Sequence, residues 1–381
     1  MRITRIDWAR LAGQRPRAAG CNARLGVHGQ AVSSGVARLW TDDGATGWGW
    51  SRIEPDAAEP LLVTDLDDAI VPTADASAPR GISPALRELE YPLLDLLAKR
   101  EGLPVYRWLA GATAPPEGSL SVPCYDTSLY FDDLHLPREA DAVACMVDEM
   151  RAGWERGHRA FKLKIGRGAL HMPLEEGTQR DIAIVRAVRD AAGPDARLMC
   201  DANNGYNLNL LKRELSETAD ADVYWIEEPF HEDGTLYAHL KEWMHAVGLE
   251  VLIADGEGDA SPRLLDWARD GLIDVVQHDI LRPGFSHWLA LGPALDACGA
   301  RSAPHHYGEP LGNYYACHLA PGIDGFEAVE WDEASLDGVD ASAYTICEGR
   351  VHLSPAPGFG LALDEDAFAR RVREEGWSRT L

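Results

Sequence analysis

The chain has 381 residues, enough for one large and one smaller domain. Its composition, with 46% hydrophobic and 25% charged residues, is ordinary for a globular protein. Its formal net charge of −25 argues against nucleic acid or an anionic membrane as a partner, because binding either needs a positive field. No apolar run approaches the roughly 20 residues that cross a bilayer. The N-terminus contains no signal-peptide core, so we expect a cytoplasmic protein.

The first hundred residues predict a small α+β unit. Val36 to Trp40 is typical of a strand, Asp43-Gly44 of a turn, and Thr46 to Trp50 of the returning strand. Apolar residues at helical spacing predict a helix from Leu86 to Leu97, which Gly102-Leu103-Pro104 follows as a stop signal.

From about Ser119 the pattern changes to short apolar runs that alternate with longer amphipathic stretches. One amphipathic stretch, Asp181 to Ala192, ends at Gly193-Pro194. Alternating strands and helices favour a parallel sheet, and eight strands in about 210 residues favour a (β/α) barrel over a doubly wound open sheet. The predicted strands are Leu120–Pro123, Ala160–Lys164, Arg197–Cys200, Val223–Ile226, Val251–Ala254, Asp274–Val276, Ala300–Ala303 and Glu327–Val329. We expect the last stretch, Gly349 to Leu381, to fold back onto the N-terminal unit.

Polar residues follow the predicted barrel strands at intervals of about one strand-helix unit. The C-terminal ends of barrel strands meet on one face, so these side chains are expected to converge there. They are Lys164, Asp201, Glu227, Glu257, Asp279, His305 and Glu330.

Three of these residues, Asp201, Glu227 and Glu257, are carboxylates on successive strands. They would repel one another unless a cation lies among them. A ligand set made only of oxygen, with room for water and substrate, suits Mg²⁺ better than Zn²⁺. Salt-bridged structural acids are the alternative. Asn203 and Glu228 are close enough in sequence to support the ligands.

Two further groups could move protons. Lys162 and Lys164 share one face of their strand, and a second ammonium and a Mg²⁺ ion nearby would lower the pKa of Lys164 and make it a usable base. Asp279 would fix the tautomer of His305 and raise its basicity. The neighbouring His306 stays open as an alternative to His305.

The ordered set of motifs resembles the enolase superfamily, specifically its mandelate racemase-like group. The matching stretches are Lys162-Leu163-Lys164, Asp201-Ala202-Asn203, Ile226-Glu227-Glu228-Pro229, Gly256-Glu257, Gln277-His278-Asp279, Pro304-His305 and Glu330-Trp331, with Asp43 to Gly49 and Trp108 to Gly111 in the N-terminal unit. Two departures fall near the pocket. Trp50 stands where many relatives have an acid, and His278 where a proline is common.

The resemblance implies a modified (β/α)7β barrel with an α+β capping domain made from both chain ends. We divide the chain into a capping domain at 1–118, a barrel at 119–348 and a C-terminal segment at 349–381 that returns to the cap. The resemblance also implies a homo-oligomer.

The resemblance further implies roles for individual residues. Asp201, Glu227 and Glu257 would bind Mg²⁺, and Lys164 and the Asp279–His305 pair would act as acid and base. Glu330 would be an acid near the enolate oxygen. Predicted substrate contacts are Lys162, Asn203, Tyr125 and, in the capping loop from Leu25 to Ser34, His28.

The shared step is removal of a proton α to a carboxylate. We expect a small carboxylate substrate, and we favour dehydration of a sugar acid to a 2-keto-3-deoxy acid. Racemisation or epimerisation suits two bases on opposite faces equally well. A cycloisomerase is a weaker alternative, because such members of the superfamily typically pair two lysines across the site, whereas here the sixth strand ends in Asp279 and a histidine follows the seventh. A non-catalytic sugar-acid binding protein is also weaker, because every position of the chemical set is filled.

The seven cysteines are scattered and include no CxxC pair, which predicts neither a disulfide framework nor a structural zinc site. We expect buried, reduced thiols.

Overall fold

The computed structural model describes residues 1–71, 81–110 and 119–381. Gly111 and the predicted boundary at residue 118 lie outside the described residues. The N-terminal elements are β1 (Ile3–Ala19), β2 (Gly29–Thr41), β3 (Thr46–Trp50), α1 (Pro55–Ala58), β4 (Ile70–Val71), β5 (Gly81–Ile82), α2 (Glu90–Arg100) and α3 (Val105–Ala110).

An antiparallel sheet organises the N-terminal unit. β1 pairs with β2 and β2 with β3, and the predicted strands and the turn at Asp43-Gly44 are confirmed. Helix α2 packs so closely on β3 that only glycine fits at position 47. A Cβ there would lie 2.4 Å from the carbonyl oxygen of Pro92.

The predicted helix from Leu86 to Leu97 is split in the structure. A 3-10 segment covers Pro84–Leu89, and the α-helix begins at Glu90. Pro92 has no N–H with which to bond the carbonyl of Glu88, and that carbonyl accepts the Ser51 hydroxyl instead at 2.6 Å. The α-helical hydrogen-bond ladder therefore cannot run through this point.

The central region alternates strands and helices. Every predicted strand is confirmed, although the first one runs to Leu129, six residues beyond its predicted end, and the helix predicted from Asp181 begins earlier, at Leu174. The elements are β6 (Leu120–Leu129), α4 (Glu139–Glu155), β7 (Ala160–Lys164), α5 (Leu174–Ala192), β8 (Arg197–Asp201), α6 (Leu208–Glu217), β9 (Val223–Glu227), α7 (Gly234–Val247), β10 (Leu252–Asp255), α8 (Leu264–Arg269), β11 (Val275–Val276), α9 (Phe285–Cys298), β12 (Arg301–Ser302), α10 (Leu311–Leu319) and β13 (Val329–Trp331).

These strands form a mostly parallel sheet. Its order runs β12-β11-β10-β9-β8-β7-β6, and β13 pairs with β6 in parallel. The register aligns Lys164 with Asp201 and Asp201 with Glu227, so the polar strand ends lie side by side. On the edge of β12 that faces away from β11, the N–H of Ser302 donates a hydrogen bond to the carbonyl of Gly325 at 2.9 Å.

One face of the sheet carries a buried cluster that includes Tyr125, Met199, Trp225 and Val275. A much larger apolar core fills the space between the strands and the surrounding helices and continues into the N-terminal unit. The polar strand ends therefore stand on a packed apolar base, which fixes the positions of their side chains.

The C-terminal residues contact both units. The last strand, β19 (Trp377–Thr380), pairs antiparallel with β1, and Trp377 stacks on Trp8 with ring centroids 6.5 Å apart. The hairpin of β16 (Tyr344–Cys347) and β17 (Arg350–Leu353) instead pairs, through β17, with β6, the first strand of the mostly parallel sheet. The elements are β14 (Ser335–Leu336), β15 (Val339–Asp340), β16 (Tyr344–Cys347), β17 (Arg350–Leu353), β18 (Ala362–Leu363), α11 (Glu365–Glu375) and β19 (Trp377–Thr380).

All seven cysteines fall within the described residues and are free. The prediction of burial is wrong for Cys347, which is exposed at the end of β16, and Cys145 and Cys298 are only partly buried. Within the described ranges, every helix is too short or too polar to cross a membrane.

Candidate active site

The sheet brings three carboxylates together at the C-terminal ends of its strands. Asp201 and Glu227 end β8 and β9, and Glu257 follows β10. One oxygen from each lies within 4.8 Å of the others. Gly256 turns the chain with a φ of +124°, a conformation that L side chains rarely adopt, and so aims Glu257 at the other two.

The donor chemistry of this triad fits a hard divalent cation. Burial and the negative charge of Asp201 raise the pKa of Glu227 to about 8, as expected for acids crowded together. Asn203 donates to Glu228 at 3.0 Å, and both residues have a left-handed φ. Strained residues of this kind concentrate at functional sites, and here they brace the backbone beside the carboxylates.

Lys162 lies buried between the carboxylate triad and Glu330 of β13. Its ammonium is 2.6 Å from Glu227, 3.1 Å from Glu330 and 3.6 Å from Asp201. Glu227 also accepts a hydrogen bond from Gln277 at 2.8 Å. One cation thus offsets part of the charge of several carboxylates.

Lys164 forms an ion pair with Asp201, and its ammonium lies 5.1 Å from the ring centroid of Tyr130. Burial and Lys162 lower the pKa of Lys164, but Asp201, Glu257 and Glu227 together outweigh them and the net shift is upward. The sequence-based expectation of a lowered pKa counted a bound Mg²⁺. The ion pair with Asp201 stabilises the ammonium form of Lys164.

His305 sits on the opposite flank of the triad. Its Nδ1 lies 2.6 Å from Asp279, and its Nε2 lies 3.1 Å from Glu257. Burial alone would lower the pKa of His305, but Glu257, Glu330 and Asp279 raise it to about 10. The predicted pairing of His305 with Asp279 is thus present in the structure.

The neighbouring His306 has different surroundings. It is buried, and neither of its ring nitrogens has a hydrogen-bond partner among the described residues. Burial lowers its pKa. The structure therefore pairs His305, and not His306, with the carboxylates.

Glu330 lies in the middle of β13 and accepts several hydrogen bonds. The Thr127 hydroxyl donates to it at 2.8 Å, and the N–H of His306 donates at 2.9 Å. Burial would raise its pKa, but Lys162 and the two histidines hold the pKa well below its usual range. In this arrangement Glu330 is a carboxylate, and its role as an acid stays a prediction.

The predicted substrate contacts differ in their positions. Tyr125 is fully buried, and its ring centroid lies 5.5 Å from the Lys162 ammonium. His28 reaches the Lys164 side of the site, where its ring packs edge-on against Tyr130 at 4.8 Å. Burial, Lys164 and Arg15 lower the pKa of His28 to about 4, and its buried Nε2 has no partner among the described residues.

A cavity of about 570 Å³ opens beside His305 and Asp279. Its wall includes Arg52, Arg282 and Glu309, which sequence analysis did not single out. Two features of the sequence could have pointed to these residues. Arg52 follows the capping strand that departs from the pattern of many relatives, and Glu309 lies in the same loop as His305.

Comparisons with known proteins agree with this geometry. A family model described as enolase C-terminal domain-like matches residues 145–367. The chain resembles a galacturonate dehydratase from a Geobacillus species, whose structure is complexed with D-galacturonate and 5-keto-4-deoxy-D-galacturonate. That likeness has 48% identity and a TM-score of 0.93, and it covers 99% of this chain and 98% of the other.

Two further similarities extend the comparison. A mandelate racemase/muconate lactonizing protein from Geobacillus sp. Y412MC10, complexed with magnesium and tartrate, is 48% identical, with a TM-score of 0.95 over 100% of this chain and 97% of that one. The D-galactarolactone cycloisomerase of Agrobacterium fabrum is 28% identical over 87% of this chain and 89% of its own length.

Proposed function

Because the chain belongs to the enolase superfamily, in its mandelate racemase-like group, we propose that it is a Mg²⁺-dependent lyase that dehydrates a sugar acid to a 2-keto-3-deoxy acid. The observation that carries the proposal is the placement of Lys164 and the His305–Asp279 pair on opposite flanks of the carboxylate triad. A substrate held there would have a proton-transfer group on each side.

Asp201, Glu227 and Glu257 would hold the Mg²⁺ ion, with Asn203 and Glu228 supporting them. When bound, the ion would stabilise the negative charge that develops on the substrate carboxylate as the α-proton leaves. Lys162 would add a second positive charge, since its ammonium already lies among the carboxylates.

The proposed reaction is an elimination with one proton moved on each face. The Lys164 amine takes the proton from the carbon α to the carboxylate, and the electron pair forms a carbon–carbon double bond as the β-hydroxyl departs. His305 donates a proton from Nε2 to that hydroxyl, which leaves as water. The resulting enol tautomerises to the 2-keto acid.

Asp279 holds the His305 ring through Nδ1 and favours its protonated form. The low pKa of Glu330 keeps it an acceptor for Lys162 and for the backbone N–H of His306. We assign His28 and Asn203 to substrate contact, whereas Tyr125 would act indirectly by supporting Lys162 from below.

The proposal includes the architecture. The hydrogen bonds of Ser302 with Gly325 and Glu327 support closure of the sheet next to β13 as a (β/α)7β barrel. The pairing of β19 with β1 supports a cap at 1–118 that the 349–381 segment rejoins around the 119–348 barrel. Assembly as a homo-oligomer and a cytoplasmic location are further parts, which sedimentation and cell fractionation test.

The first test is incubation with D-galacturonate and Mg²⁺, following 5-keto-4-deoxy acid formation by its reaction with semicarbazide. EDTA should abolish product formation, and added Mg²⁺ should restore it. A keto acid that forms at the same rate in EDTA would contradict the proposal. Formation of an epimer without keto acid would favour the isomerase alternative.

A further inference from the structure

The cavity wall beyond His305 contains an ion pair that joins the N-terminal unit to the loop after β12. Arg52 lies 3.2 Å from Glu309, and the buried Ser34 donates its hydroxyl to the other oxygen of Glu309 at 2.7 Å. The Arg52 side chain is half exposed and lines the cavity together with Glu309. The pair is therefore held by a buried hydroxyl and remains open to a ligand.

The described lining of the cavity has no surplus of cations. Its titratable residues are the acids Asp259, Asp279 and Glu309, the arginines Arg52 and Arg282, and His305. Asp279 is paired with His305, and Glu309 with Arg52. A ligand carboxylate that enters this space would be repelled by Glu309, and no unbalanced cations in the lining would offset the repulsion. Ligand hydroxyl groups, by contrast, can donate hydrogen bonds to Glu309 and accept them from Arg52.

We propose that the Arg52–Glu309 pair binds the end of the substrate remote from the reacting carboxylate and selects sugar acids with one carboxylate over dicarboxylic sugar acids. This inference rests on the proposed function, since that function places the reacting carboxylate at Lys162 and the triad. The remote end of an accepted substrate is then a neutral polyol, aldehyde or hemiacetal. Ser34 acts as a positioning residue that orients Glu309.

The test compares D-galacturonate with galactarate, which carries a carboxylate at both ends. We would measure kcat/KM for both acids with Mg²⁺, and also dissociation constants by calorimetry in the Lys164→Ala variant, whose substitution lies outside the cavity lining. D-galacturonate should be preferred by about tenfold or more in both measurements, because like charges brought together are strongly unfavourable.

Glu309→Gln keeps an acceptor for Ser34 and removes the charge. It should shrink the preference by about tenfold, chiefly through tighter binding of galactarate. Ser34→Ala should shift the ratio in the same direction and by less. Glu365→Gln is the matched control, because it neutralises a glutamate paired with an arginine of β2, 2.7 Å away and outside the cavity lining, and should leave the ratio unchanged.

An unchanged ratio in Glu309→Gln would overturn the inference. So would a wild-type preference for galactarate, which would assign Arg282 to a second carboxylate. Dehydration of both acids without discrimination defeats the inference and leaves the proposed function standing. If D-galacturonate binds more tightly than galactarate but is not dehydrated, the proposed function fails and the inference is supported. If neither acid binds, both fail.

Discussion

Replacement of His305 by asparagine separates the two proton transfers of the proposed elimination. The contacts of His305 with Asp279 and Glu257 raise its pKa to about 10. At neutral pH such a group is protonated, so His305 is suited to act as an acid.

Loss of this acid should slow dehydration by roughly 10²- to 10⁴-fold, the usual contribution of a positioned acid. Removal of the α-proton by Lys164 should continue, and it should appear as exchange of that proton with solvent. Lys164→Ala should abolish both exchange and dehydration. His306→Asn should lose much less than His305→Asn, because the His306 ring has no hydrogen-bond partner among the described residues.

The assay is proton NMR of the sugar acid in D₂O with Mg²⁺, which follows the α-proton signal and the keto-acid signals in one sample. Loss of exchange in His305→Asn would show that His305 removes the α-proton itself, in a syn elimination, and Lys164→Ala should then lose only about 10²-fold. Normal turnover by both His305→Asn and Lys164→Ala would refute the assignment, because both residues would then be structural partners of the triad.

Three further outcomes follow from the structure. Glu227→Gln should lose Mg²⁺ binding by calorimetry and keep its circular dichroism spectrum, because it neutralises one carboxylate of the triad. Gly47→Ala should lower the free energy of unfolding by about 1–3 kcal/mol in urea titration, because its Cβ would overlap Pro92. Burial lowers the pKa of His318 to about 3, so unfolding takes up a proton below the ordinary pKa of 6.5. The free energy of unfolding should therefore fall by up to about 1.4 kcal/mol per pH unit as pH drops from 6.5 toward 3, and this slope should flatten in His318→Gln.

Much of the fold was predictable because its signals are local. The alternation of apolar runs with amphipathic stretches located each strand from Leu120 to Trp331, and the strand-unit spacing placed the polar residues at one edge of the sheet. The split at Glu90 was not predicted, since apolar spacing alone does not register that Pro92 leaves a carbonyl free for Ser51.

The candidate site also contains residues that the sequence identified and contacts that it did not. Sequence alone selected Asp201, Glu227 and Glu257 as a metal triad and Lys164 and His305 as proton-transfer groups, because their positions depend only on where each strand ends.

The tertiary structure decided what depends on contacts between distant segments. It placed His305 rather than His306 against Asp279, buried Tyr125 beneath Lys162, and joined Ser34 and Arg52 of the N-terminal unit to Glu309. Spacing along a chain specifies which strand end a residue occupies. Side-chain direction, burial and the charges of partners hundreds of residues away arise only when the two units pack together.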